Sequence, residues 1–155
     1  MNEVVDQLRT FRVEYLVDVR SVPYSRYRPS FSRKALARYL RSAGIRYEHM
    51  GAQLGGRPAD PSCYDHKGRI LYERVCAKPF FQEGVARLQD ACRRGFTVCL
   101  LCAEADPARC HRSGLIGVAL EQVGIHVEHL LRCGGSKGQD EVMTGPGEDQ
   151  LGMFQ

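Results

Sequence analysis

No stretch of this 155-residue chain comes near the run of about 18 consecutive apolar residues that a membrane-spanning helix needs, so no span and no membrane partner is expected. The start, Met1 to Arg12, carries Glu3 and Asp6 and lacks the apolar core of a secretory signal. Cys99 and Cys102 form one C-x-x-C with no second pair to complete a zinc ribbon, and no internal repeat is visible. Between Arg20 and Arg46 there is no Asp or Glu at all. These absences favour a cytoplasmic protein whose seven cysteines are mostly reduced, with Cys76 and Cys92 acting as small buried hydrophobes.

What is present suits a globular α/β protein. An apolar fraction of 43% can fill a core, and 26% charged residues is ordinary for a soluble domain. Val4, Val5, Leu8 and Phe11 lie at helical spacing, predicting a helix over Asn2 to Arg12. Glu14 to Val19 reads as a buried strand, Arg33 to Ala43 as a helix capped by Ser32 and ended by Gly44, and Ile45 to Met50 as a second strand. Gly51 to Arg69 reads as loop. Pro79 opens a helix to Arg94 with Phe81, Val85, Leu88 and Cys92 inward, weakened by Gly84. Thr97 to Leu101 reads as a strand buried on both faces, Cys110 to Val123 as a helix with Leu115, Ile116, Ala119, Leu120 and Val123 inward, and Ile125 to Leu131 as a last strand. Alternating strands and helices predict a three-layer α/β sandwich with a mainly parallel sheet, placing Asp18, Met50 and Cys102 at one edge. Residues 1–131 form this domain. From Arg132 onward six of 24 residues are glycine, which predicts a disordered tail.

Ligands bind beyond the carboxyl ends of the strands in open parallel sheets. The stretch C-A-E-A-D-P-A-R-C-H-R, Cys102 to Arg112, therefore holds the candidate catalytic residues Cys102, Glu104, Cys110 and His111. A thiol at a helix start beside His and Arg is expected to ionise readily, and Cys110 fits that description. A nucleophilic or redox cysteine, an anion cradle including Arg112, a Cys/Cys/His metal site and a purely structural capping loop all remain open. No spacing identifies a fourth metal ligand, and the adjacent Cys110 and His111 point apart on a helix, so neither a metal nor another cofactor is assigned. Asp18 and Arg20, just past a buried strand, are candidates for a shared ligand site or for an ion pair bracing the loop. Ser25, Arg26, and the turn Gly55-Gly56-Arg57 complete the candidate ligand residues.

Two further features point to partners. Arg20 to Arg46 holds eight cations interleaved with Tyr24, Tyr27, Phe31 and Tyr39, the ingredients of a nucleotide or single-stranded nucleic-acid surface, against the plainer reading of a solvated basic face. Arginine makes up 18 of the 22 basic residues, which suits phosphate recognition and equally follows from genome composition. The tail ends in Gln150, Leu151, Gly152, Met153 and Phe154, apolar groups with no core to join. They resemble the Gln-Leu-x-Leu-Phe peptide that attaches bacterial replication and repair proteins to the DNA sliding clamp, with Met153 in place of the usual Leu.

Taken together, L-V-D-V-R-S-V-P-Y-S-R-Y (Leu16 to Tyr27), Phe31-Ser32, G-I-R-Y-E-H-M (Gly44 to Met50), L-G-G-R-P (Leu54 to Pro58) and Cys102 to Arg112 resemble the bacterial and archaeal family known as domain of unknown function 488. The resemblance implies one α/β domain and marks Asp18, Arg20, Ser25, Cys102, Glu104, Cys110, His111 and Arg112 as motif positions. It also implies an opening strand ending in Gly-His-Ser, which this sequence does not contain. The expected activity is binding of a phosphate-bearing ligand with thiol-dependent catalysis. The rivals are a non-catalytic nucleic-acid-associated module tethered to the clamp, and a metal-binding protein.

Overall fold

The structure, a computed structural model, describes residues 1–132 and 134–144. The chain divides into two compact units, Met1–Ala103 and Glu104–Gln155. The expected clamp-binding residues Gln150, Leu151, Met153 and Phe154 lie outside the described residues.

In the first unit, helix α1 (Asn2–Thr10) buries Val5 and Leu8, the face its spacing predicts. Strand β1 (Tyr15–Asp18) is the middle of a three-stranded parallel sheet and buries Leu16, Val17 and Asp18. Helix α2 (Arg33–Ser42) places Leu36 and Leu40 in the core. It gives way to Gly44 at φ 79°, the left-handed conformation that favours glycine after a helix. Ser32 precedes α2 without capping it through its side chain; its hydroxyl instead accepts from the Ser25 N–H at 3.2 Å. Strand β2 (Arg46–His49) pairs with β1 in parallel.

The segment Gly51 to Arg69, predicted as loop, is more regular than its Gly and Pro content suggests. Helix α3 (Gly51–Leu54) fully buries Leu54, and this apolar burial outweighs the poor helix propensity of its first residue. Beyond it, Asp60 accepts from the Ser62 N–H at 2.9 Å to start a 3₁₀ turn, and an antiparallel bridge joins Tyr64 to Ile70. Helix α4 (Tyr72–Cys76) leads to α5 (Pro79–Arg93), which opens on proline as predicted and buries Phe81, Val85 and Leu88. Cys92 is only half-buried.

Strand β3 (Val98–Leu101) corrects an expectation. It pairs with the other side of β1 and forms an edge of the sheet, and all four of its residues are half-buried. The strand covered on both faces is β1, whose consecutive residues Leu16, Val17 and Asp18 point to alternate sides of the sheet and are all buried. The register sets His49 and Leu101 level with Asp18, so Met50 and Cys102 leave the sheet at one edge, as right-handed crossovers predict.

The second unit departs further from the sequence reading. The segment predicted as one α-helix from Cys110 starts as a π-helix (Arg112–Gly117) and continues as α6 (Val118–Gln122). Leu115, Ile116, Ala119 and Leu120 are buried as expected, whereas Val123, which caps the end of α6, is 41% exposed. The last predicted strand shortens to β4 (Glu128–Leu130) and pairs antiparallel with β5 (Ser136–Gly138). Gly134 and Gly135 adopt φ of 90° and 80°, and the Leu131 N–H reaches the Gly135 carbonyl at 3.1 Å, which closes a hairpin. Helix α7 (Gln139–Thr144) follows, burying Gln139 and Val142. Residues 136–144 are therefore regular structure where glycine content predicts disorder: the glycines serve the turn.

Gly84 shows why α5 tolerates glycine in its interior. A Cβ there would stand 2.7 Å from Leu54 Cδ2 and 2.9 Å from Gln53 Cβ. Gly→Ala in a helix interior ordinarily gains up to about 1 kcal/mol. Here overpacking against α3 reverses the sign, and Gly84→Ala is expected to cost about 1–3 kcal/mol in chemical denaturation.

Candidate functional site

The first unit concentrates its polar chemistry at the carboxyl end of β1. Asp18 is fully buried and Arg20 is 8% exposed. Asp18 Oδ1 accepts from the Arg20 backbone N–H (3.1 Å) and Nε (2.8 Å), and Oδ2 accepts from Arg20 Nη2 (2.6 Å) and the Tyr47 hydroxyl (2.7 Å). These four bonds occupy the acceptor sites a carboxylate offers. Burial alone would raise the Asp18 pKa, but the hydrogen bonds from the Arg20 side chain, Tyr47 and the Arg20 backbone outweigh it and hold the carboxyl below its usual range. The Asp18 bond holds the Arg20 guanidinium above its ordinary value against burial, and burial together with the bond to Asp18 pushes the Tyr47 hydroxyl up.

The same guanidinium reaches the next loop: Arg20 Nη2 donates to the Phe31 carbonyl at 2.8 Å. His49 Nε2 lies 3.0 Å from the Arg20 carbonyl, and since a carbonyl only accepts, that nitrogen carries the proton. Ser21 Oγ accepts from the Arg57 N–H at 3.0 Å. Gly55 packs so closely here that a Cβ would collide with the Gly51 carbonyl and Ser21 Oγ. The Gly55-Gly56-Arg57 turn thus clasps the loop after β1, with the Arg57 side chain exposed. Ser25 accepts from the Arg28 N–H at 3.2 Å, while Arg26 is exposed.

In the second unit a 3₁₀ turn, Pro107–Arg109, is fixed by Asp106 accepting from the Ala108 N–H at 2.9 Å. The turn delivers Cys110, whose N–H bonds the Pro107 carbonyl at 3.2 Å. The hydroxyl of buried Ser113 lies against the Pro107 and Cys110 carbonyls. Two N–H groups of Arg112 converge on the Cys110 sulfur, the backbone N–H at 3.4 Å and Nε at 3.3 Å. Arg112 Nη2 donates to the Glu104 carbonyl at 3.3 Å, and Glu104 Oε2 lies 3.8 Å from the sulfur. The side-chain donor atoms of Glu104, Cys110 and His111 all lie within 4.8 Å of one another. This sulfur–imidazole–carboxylate cluster offers the ligand types that zinc uses. Cys63, Cys76 and Cys92 are free thiols, and burial pushes all three up. Cys110 is disulfide-bonded, as is Cys102, the first residue after β3, whereas Cys99 is a thiol like the other three.

Several groups that shape these sites are not among the residues expected from the sequence. Tyr47 and His49 share one face of β2, a parity visible in R-Y-E-H, but nothing in the sequence tied that face to Asp18. Gln139 donates to the Ser113 carbonyl at 2.9 Å, and its Oε1 lies 2.6 Å from Nε2 of buried His129. Burial depresses the His129 pKa more than the Gln139 bond raises it. Gln139 sits in a stretch whose glycines predict disorder, so no signal pointed to it.

The family model of domain of unknown function DUF488 matches residues 1–119, which spans both polar clusters, and the chain belongs to that family. No curated protein and no solved structure matches the chain. Among the described residues no helix is long and apolar enough to cross a membrane.

Removing one member of a buried ion pair strands the other, so Arg20→Ala is expected to cost about 3–5 kcal/mol in chemical denaturation. The pH dependence follows from Asp18, whose folded pKa lies below its unfolded value of about 3.9. Its contribution is present above that unfolded value and is lost as pH falls through the folded one. Asp18→Asn is expected to lower stability at neutral pH and to flatten the acid limb of the stability curve, measured by denaturation across that range.

Proposed function

We propose that this DUF488 protein is a thiol-dependent enzyme acting on a phosphate-bearing ligand, with Cys110 in its reduced form as the nucleophile. The observation that carries this reading is the convergence of two Arg112 N–H groups on the Cys110 sulfur. Donors aimed at sulfur favour the thiolate, because an anion accepts stronger hydrogen bonds than a thiol does. A guanidinium at that position also matches the geometry of a phosphate oxygen pair. Glu104 and His111, whose donor atoms lie within 4.8 Å of the sulfur, are the proton carriers.

In the proposed step the thiolate attacks an electrophilic centre of the ligand and forms a sulfur–ligand bond. The bond to the leaving group breaks with its electron pair, and His111 or Glu104 supplies the proton that group takes up. Water then attacks the covalent intermediate and gives its proton to the same base, and the sulfur departs as thiolate. Cys110 is disulfide-bonded in the structure, so this chemistry requires prior reduction.

The cluster of Glu104, Cys110 and His111 also favours a second reading, in which the reduced site holds a zinc ion. Both readings are tested by timed iodoacetamide labelling near neutral pH, with peptides resolved by mass spectrometry. The thiol reading expects no labelling of Cys110 before reduction. After reduction, Cys110 should label at least about tenfold faster than Cys63, Cys76 and Cys92, whose thiols burial keeps protonated. Arg112→Gln should slow Cys110 by about tenfold or more, the value of a hydrogen bond to a charged group. Labelling no faster than the other three overturns the reading, since a sulfur that a substrate reaches is one that iodoacetamide reaches. The zinc reading expects near-stoichiometric metal in elemental analysis of the reduced protein and protection of Cys110 by added zinc; the absence of both effects sinks it.

A further inference from the structure

We infer that the loop between β1 and α2 is a binding platform for single-stranded nucleic acid, with Tyr24 and Tyr27 stacking on bases and Arg26 and Arg28 holding the phosphates between them. The inference concerns the first unit alone and does not rest on the chemistry of Cys110.

Five large apolar side chains among the described residues are exposed, and three of them, Val22, Tyr24 and Tyr27, fall within six residues of this loop. Tyr27 is 92% exposed and Tyr24 68%. A solvent-facing ring on a frayed loop would carry little information, but this loop is braced from within. Its backbone is tied at Arg33 N–H to the Pro23 carbonyl (2.9 Å) and at Phe31 N–H to the Arg28 carbonyl (2.9 Å). Ser25 and Ser32 add two side-chain clasps of 3.2 Å, and Arg20 reaches in from the buried pair to hold the Phe31 carbonyl. Pro23 and Pro29 restrict the backbone further. The rings are therefore presented on a fixed scaffold, which lowers the entropy lost when a flat ligand stacks on them.

The charge pattern selects the partner. Arg26, Arg28, Arg33 and Lys34 are exposed, and none makes an ion pair among the described residues. The acid nearest in sequence, Asp18, is wholly engaged by Arg20 and Tyr47. A face that were merely solvated would not need two uncovered tyrosines, and an acidic peptide would use the cations without the rings. The order Tyr24-Ser25-Arg26-Tyr27-Arg28 alternates planar rings with cations, as a single strand alternates bases with phosphates. In a duplex the base faces are already stacked and unavailable to the rings.

The test is fluorescence anisotropy with a labelled mixed-sequence single-stranded oligonucleotide over a salt series, using the whole chain. Binding is expected to weaken with salt. Tyr24→Ala and Tyr27→Ala should each lower affinity at least about fivefold. Arg26→Ala combined with Arg28→Ala should reduce the salt slope by about 0.7 per arginine. Because all four side chains are exposed, unchanged circular dichroism is expected to accompany each loss. Tyrosine variants that bind like the parent, or equal affinity for duplex DNA, polyglutamate or heparin, would overturn the inference and leave a basic face without base recognition.

Discussion

The guanidinium of Arg20 stands between the carboxylate of Asp18, at the end of the central strand, and the carbonyl of Phe31, at the far end of the loop that follows. Tyr47 brings β2 into the same contact through its hydroxyl. Two charges this deeply buried are costly to take out of water, and the cost is offset only because every acceptor site of the carboxylate is used. The pair is thus a poor source of net stability and a strong constraint on shape. It ties the end of β1 to the far end of the loop that follows, through the Phe31 carbonyl.

Much of this first unit was legible from residues alone. Periodicity gave α1, α2 and α5, and the apolar run at Leu16 to Val19 gave the buried strand, because helix and strand burial leave periods of different length in the chain. The ion-pair alternative for Asp18 and Arg20 was also readable, since two opposite charges two residues apart past a buried strand have few other ways to be covered. What was not readable depended on distant packing. Leu54 pulls α3 into helix against its glycine, β3 lies at an edge because β1 has neighbours on both sides, and Tyr47 finds Asp18 only once β2 is in register.

The second unit shows the reverse case. Its motif, C-A-E-A-D-P-A-R-C-H-R, located the Cys110 cluster directly, because the residues that meet there are close in sequence. Composition is a poorer guide over residues 134–144, where Gly134 and Gly135 make the hairpin turn that leads into β5 and α7. The π-helix at Arg112–Gly117 was equally hidden, since no residue pattern distinguishes it from an α-helix. π-Helical segments are frequent at functional sites, and this one begins with the residue whose N–H groups reach the Cys110 sulfur.

In the proposed chemistry Arg112 holds reduced Cys110 as a thiolate, a state visible in the ultraviolet thiolate absorbance of the reduced protein at neutral pH. A thiolate band is expected in the native chain, missing from Cys110→Ser and diminished in Arg112→Gln. Identical spectra for the native chain and Cys110→Ser would contradict it.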